Sequence, residues 1–211
     1  MITAHIVGNN TTSPLAPVWE SLCSVSGFCD HIVVHDFGMP CKCREVVDHF
    51  GKTKRDIELN PRETPMTSLG EFSGSHWVYA GFIDEVVHED LFNYFWNVTR
   101  HRKEFLAIDV PVHPVFGTWE GTELMQTRLV ANASLQDARF DGDGVVTEIP
   151  ESARASVELA PAAIWKLMWA FPGDPSMSEY EWCEQKEQVV GVPNLISRLV
   201  GRHAYSLPYN K

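Results

Sequence analysis

Ile2-Thr3-Ala4-His5-Ile6-Val7-Gly8-Asn9-Asn10 and His31-Ile32-Val33-Val34-His35-Asp36-Phe37-Gly38 are the two stretches that decide the fold. Each is a short run rich in β-branched residues that stops at a polar, glycine-bearing turn, the pattern of a strand inside a sheet. Between them Leu15, Val18, Trp19 and Leu22 recur at helical spacing, with Pro17 in a first turn, where its missing N–H is tolerated. Cys43, Val46, Val47 and Phe50 mark one face of a second helix that Gly51 is expected to close. Asp56-Ile57-Glu58-Leu59 reads as a third strand ending at Asn60-Pro61. The order is βαβαβ, and such units close right-handed onto a parallel sheet with helices outside.

Working outward, residues 60–75 read as loop, and Trp77 to Ile83 is an apolar run suited to a strand buried on both faces. Asp84-Glu85 ends it. A helix is expected from about Glu89 to Arg102, with Leu91, Phe92, Phe95 and Trp96 inward. Arg100, Arg102 and Lys103 near its end suit the helix dipole, with phosphate contact as the other reading. Phe105–Val112 and Arg128–Leu135 read as later strands. Beyond Pro150 the pattern weakens: an apolar run over Ala155–Trp169 broken by Pro161, an acidic helix over 179–190, and a short amphipathic helix over 194–200. The expectation is one α/β domain over 1–211, with a ligand-binding half at 1–95 and a second half at 96–211 whose last third is irregular.

Composition narrows the class. The chain is 44% apolar and 21% charged, which excludes a disordered or collagen-like protein. Its 28 acidic and 17 basic residues give a charge of −11, against a general nucleic-acid coat protein. Five cysteines in a chain of this length are not a disulfide framework. No leader pattern opens the sequence and no run reaches the ~18 apolar residues of a membrane span, so a reduced, cytoplasmic protein is expected. Cys23, Cys29, His31, His35, Cys41, Cys43 and His49 offer zinc-type ligands, but they lack Cys-x-x-Cys pairing and spread over three elements.

In an open α/β sheet, ligands bind beyond the carboxyl ends of the strands. Gly8 to Asn10, Asp36 to Gly38, Asn60 onwards and Asp84-Glu85 all fall there. Asp36 can accept hydrogen bonds from a base or ribose, or simply cap the next turn. A carboxylate after a central strand, such as Asp84, can hold Mg²⁺ or Mn²⁺ beside phosphates. Asp141-Gly142-Asp143-Gly144 resembles part of a calcium loop but lacks the later ligands, so it reads as a turn. Trp119 and Trp182 lie in polar surroundings and could stack on a sugar or base.

Three segments together resemble the family 2 glycosyltransferases of GT-A fold. They are Leu15-Ala16-Pro17-Val18-Trp19-Glu20-Ser21-Leu22, then Cys29-Asp30-His31-Ile32-Val33-Val34-His35-Asp36, then His76-Trp77-Val78-Tyr79-Ala80-Gly81-Phe82-Ile83-Asp84-Glu85-Val86-Val87-His88-Glu89. The last is similar to the segment ending in that family's Asp-x-Asp motif. The resemblance covers roughly residues 1–95. It implies a mainly parallel, mixed sheet between helices and transfer of a sugar from a nucleotide-sugar donor, a UDP-sugar, to a hydroxyl acceptor with inversion. By the same resemblance, Asn9, Asp36 and Gly38 line the nucleotide pocket, and Asp84 faces the diphosphate directly or through Mn²⁺ or Mg²⁺. Asp137, after the strand that starts at Arg128, is the general base. The chain departs from the pattern at Phe82, where the first acid of Asp-x-Asp belongs. Lys166 stands where relatives carry a late metal-binding or phosphate-facing His, and its charge could face the diphosphate instead. The acceptor class is open among glycan, lipid, protein and a modified DNA base. The alternatives are a non-catalytic GT-A-like nucleotide-sugar-binding or interaction module, which Phe82 favours, and a nucleotidyltransferase, which lacks its Gly-rich basic loop here.

Overall fold

The structure is a computed structural model. It describes residues 1–12, 16–54, 56–62, 68–72, 74–115, 124–140, 144–157 and 164–167, and of Pro114, Val115, Trp165 and Leu167 only the backbone. The expected helices over 179–190 and 194–200, most of the run after Ala155, the turn at 141–143, Trp119 and Trp182 lie outside the described residues.

The first half is the βαβαβ unit read from the sequence: β1 (Ile2–Asn9), α1 (Val18–Ser26), β2 (His31–Phe37), α2 (Cys41–Thr53) and β3 (Glu58–Pro61). β4 (Trp77–Phe82) completes a parallel array in the order β3-β2-β1-β4. Gly8 pairs with Asp36 and Val7 with Phe82, so the turns after β1, β2 and β4 leave the sheet along one edge. The second half adds β5 (Glu85–Val87), α3 (Asp90–His101), β6 (Ala107–Val115) and β7 (Leu124–Ala131). Shorter strands follow: β8 (Ala138–Phe140), β9 (Val145–Thr147), β10 (Arg154–Ser156) and β11 (Ile164–Leu167). β7 runs antiparallel to both β4 and β6, which makes the sheet mixed.

Period-2 alternation gives the sheet two different faces. Ile2, Ala4, Ile6, Ile32 and Val34 pack against α1 through Val18, Leu22 and Val25, and against α2 through Cys43, Val47 and Phe50. Leu91, Phe95 and Val98 of α3 complete that core. Burying each such Leu, Val or Phe contributes about 1.5–3 kcal/mol. On the opposite face Val78, Ala80, Phe82 and Val130 lie against Leu69, Leu135 and Phe140. Leu69 belongs to a 3-10 turn (Leu69–Phe72) and Leu135 to another (Asn132–Asp137).

Several boundaries differ from the sequence reading. Gly51 does not close α2, which runs on to Thr53. A Cβ at Gly51 would stand 3.2 Å from Ile57 Cγ1, so the glycine serves close approach of the chain entering β3, not termination. Trp96 is not inward: it is 38% exposed, its indole N–H donates to the Phe28 carbonyl at 2.9 Å, and Arg100 stacks over it at 5.3 Å. Arg102 pairs with Glu104, so both arginines of that cluster have local partners. The strand expected over Arg128–Leu135 starts earlier and stops at Ala131, where the Asn132 N–H turns to the His76 carbonyl at 2.9 Å.

Candidate functional site

The edge where β2, β1 and β4 end carries most of the residues singled out from sequence. Asn9 closes its own turn, its Oδ1 accepting from the N–H groups of Thr11 at 2.9 Å and Thr12 at 3.0 Å. Asp36 is buried, and its carboxylate both caps a turn and pairs with an arginine. Its Oδ1 accepts from the N–H groups of Gly38 at 3.0 Å and Met39 at 2.7 Å, ahead of α2, and its Oδ2 pairs with Arg44 at 2.5 Å. Gly38 has φ +85, a left-handed conformation that favours glycine, although only Asn10 Cβ at 3.7 Å would meet a side chain there. Gly8 lets this turn approach the end of β4: a Cβ would strike Met39 Sδ at 2.6 Å and meet Ile83 Cγ2 at 3.4 Å.

At the end of β4 four charged side chains surround Phe82. Glu85 and Arg128 form an ion pair at 2.6 Å, with side chains 1% and 0% exposed. Glu85 also accepts the Phe82 N–H at 3.2 Å. Such a pair is stable only when both charges are matched, since desolvating either alone is expensive. Asp84 is half-buried, and burial pushes its carboxyl up to about 6; Glu85 adds to the shift and Lys166 opposes it. β11 pairs antiparallel with β5, setting Lys166 opposite Glu85. Its Nζ lies 4.2 Å from the centroid of the Phe82 ring, while the Arg128 guanidinium is 5.7 Å from the same ring. The fold thus brings Asp84 and Lys166, distant in sequence, to one place.

Arg128 was read from sequence only as the start of a strand. The signal was there: an arginine running straight into Leu129-Val130-Ala131 must find a carboxylate once buried. Among the described residues its Nε and Nη1 have no hydrogen-bond partner. Asp137 sits apart. It is exposed at the end of its 3-10 turn, its carbonyl accepts from the Glu148 N–H at 3.2 Å, and none of the described contacts joins its carboxylate to Asp36 or Asp84.

On the sheet face opposite the helices, the described residues border a groove of about 720 Å³ lined by Thr3, His5, His35, Asn60, Arg62 and Phe72 among others. His5 Nδ1 and His35 Nε2 are 2.9 Å apart, and Phe72 stacks on His5 with centroids 3.6 Å apart. Burial lowers both imidazoles, His5 to about 3 and His35 to about 4; His35, His31 and Arg62 add to the shift of His5, and Arg62 to that of His35. The sequence reading missed this cluster, although Thr3, His5, His31 and His35 recur with strand periodicity.

The divalent ion that the resemblance implies does not fit these residues. Phe82 offers no ligand, Glu85 is committed to Arg128, and the Lys166 ammonium stands over the ring where a second carboxylate belongs. Among the described residues no three His, Cys, Asp or Glu side chains gather to hold a metal.

No protein-family model and no curated protein matches the sequence. Solved structures do. The structure of S. aureus TarS 1-349 in complex with UDP is similar at a TM-score of 0.50 and 12% identity, over 88% of this chain and 63% of that one. A second structure of S. aureus TarS 1-349 is similar at 0.50 and 11% identity, over 99% and 66%. The mannosyltransferase PcManGT from Pyrobaculum calidifontis, in complex with GDP-Man and Mn2+, follows at 0.48 and 12%, over 97% and 69%. The chain thus spans just under two thirds of the TarS 1-349 length. In the mixed, mainly parallel α/β sheet and the helices that flank it, this chain has the GT-A-like fold of glycosyltransferases.

Proposed function

We propose that this chain is a family 2-like glycosyltransferase that moves a hexosyl group from a UDP-sugar to a hydroxyl acceptor with inversion. The observation that carries the reading is the meeting of Lys166 with Asp84 on the strand-end edge that also bears Asn9, Asp36 and Gly38. Open α/β sheets bind ligands at that edge, and a nucleoside diphosphate needs what it offers: polar turns for base and ribose, and a cation for the phosphates. In this reading Asn9, Asp36 and Gly38 line the nucleotide pocket, while Asp84 and Lys166 face the diphosphate. A reducing, cytoplasmic setting suits Cys23, Cys29, Cys41 and Cys43, none of which is in a disulfide.

The chemistry is one displacement. The acceptor oxygen bonds to the anomeric carbon as the bond from that carbon to the diphosphate oxygen breaks. The electron pair leaves with the diphosphate, and the acceptor proton passes to a base, for which Asp137 is our candidate because its exposed carboxylate is open to a proton. Positive charge fixed in advance at the leaving diphosphate lowers the barrier. Release of UDP from UDP-sugars tests the reading, slowly by hydrolysis and faster with an acceptor. Asp137→Asn should slow transfer about 10²–10⁴-fold without weakening UDP binding; unchanged transfer would remove Asp137.

Phe82 supports a second reading, a non-catalytic module that binds the nucleotide sugar. Such a module would bind UDP-sugars and release no UDP. Release of pyrophosphate from a nucleoside triphosphate would instead make the protein a nucleotidyltransferase.

A further inference from the structure

We infer that this site holds a nucleoside diphosphate without a divalent cation, the Lys166 ammonium over Phe82 supplying the charge that a metal would bring; the inference rests on the donor reading above.

Four observations converge on it. The position where an Asp-x-Asp motif has its first acid is a phenyl ring, which cannot ligate a metal but holds an ammonium over its face. Lys166 Nζ is there, 4.2 Å from the ring centroid. The β11–β5 ladder sets the backbone of Lys166 opposite Glu85. Glu85 is buried against Arg128 and the Phe82 N–H and has no oxygen to offer an ion without exposing an unmatched guanidinium. Asp84 remains as one carboxylate. A dication drawn to Asp84 would meet that ammonium. A diphosphate meets the opposite: a cation with three donors on a stem anchored by an aromatic face.

Phe82 and Lys166 therefore act as a unit. The ring does for the ammonium what a second carboxylate does for a metal ion: it fixes the cation's position. Phe82 is also buried against Phe140, so the ring cannot swing away from this role without opening the core on that face.

The test is calorimetric titration of the full chain with UDP as probe, first in EDTA and then with Mn²⁺. Wild type should bind in EDTA, and Mn²⁺ should change the affinity less than about three-fold. Lys166→Met, which keeps an apolar stem over Phe82, should weaken binding at least ten-fold in EDTA, and Lys166→Arg should restore most of it. Circular dichroism of both variants checks the fold, and Lys166→Gln replaces Lys166→Met if the latter misfolds. Binding that appears only with Mn²⁺, or that survives loss of the Lys166 charge, overturns the inference while leaving the donor reading standing. Absence of UDP binding by wild type in both buffers overturns the donor reading and this inference with it.

Discussion

Two polar clusters are built around an aromatic ring in this sheet, and they manage charge in opposite ways. On the face of β1 and β2 away from the helices, Phe72 covers His5 and His35, and both imidazoles stay neutral. At the end of β4, Phe82 lies among Glu85, Arg128, Asp84 and Lys166, and the charges remain, because at least one pair is matched by direct contact. Burial forces that choice on any ionisable group: discharge it, or match it. Histidine can discharge within the physiological range, whereas arginine cannot. The first cluster therefore makes stability depend on pH, and the second makes it depend on having both partners.

The sharpest way to break this comparison is to leave one partner alone. Arg128→Met should strand the Glu85 carboxylate at 1% exposure and cost about 3–5 kcal/mol, read from the urea midpoint at pH 7. Adding Glu85→Gln to it should recover most of the loss, since removing both charges of a buried pair is often close to neutral. A loss under ~1 kcal/mol in the single variant would mean that Glu85 is not held by Arg128.

The histidine cluster should respond to acid instead. In the unfolded chain both imidazoles titrate near 6.5. In the folded chain His35 is lowered to about 4 and His5 to about 3, so between those values and 6.5 the unfolded chain binds more protons. Stability is therefore full above about 6.5 and is lost as pH falls towards 4. Arg62, paired with Glu71, and His31 also face this cluster; Arg62 opposes protonation of His35, and Glu71 favours it. From His35 alone the loss is about 3 kcal/mol over that window, at 1.36 kcal/mol for each pH unit. Melting temperatures of wild type and His35→Phe between pH 7 and 4 check this, because the variant's curve should be flatter whatever its stability at pH 7.

How much of this was legible in the sequence follows from the range of the interactions. The βαβαβ unit and the buried strand Trp77–Phe82 were readable because period and turn chemistry are local. The edge that gathers Asn9, Asp36 and Asp84 followed from topology alone. Lys166 could be named, but its contact with Phe82 depends on the pairing of β11 with β5, a register that no local pattern encodes. The Arg128–Glu85 pair was hidden for the same reason. Asp36 shows a different limit: one carboxylate caps a turn and pairs with Arg44, and composition cannot separate those duties from binding a base. Gly51 misled because a glycine after a helical stripe usually means an end, whereas here it makes room for Ile57.

The smallest effect concerns Asp84, and it separates stability from function. A carboxyl raised to about 6 is harder to ionise in the folded chain than in the unfolded one, where it titrates near 3.9. Its contribution is complete below about 3.9 and is lost as pH rises through 6, so at pH 8 the ionised Asp84 is a cost to the fold. Two pH units correspond to almost 3 kcal/mol, and screening at a half-buried site reduces that to about 1–2 kcal/mol. Asp84→Asn keeps the shape and removes the charge. It should raise stability by that amount at pH 8 and by nothing near pH 4, measured by urea unfolding at both values. In the proposed function Asp84 faces the donor beside Lys166, a role that would offset this cost. Release of UDP from a UDP-sugar should therefore fall in the variant even as its melting point rises. Equal stabilisation at pH 4 and pH 8 would show that the gain does not come from the charge, and unchanged UDP release would separate Asp84 from the site.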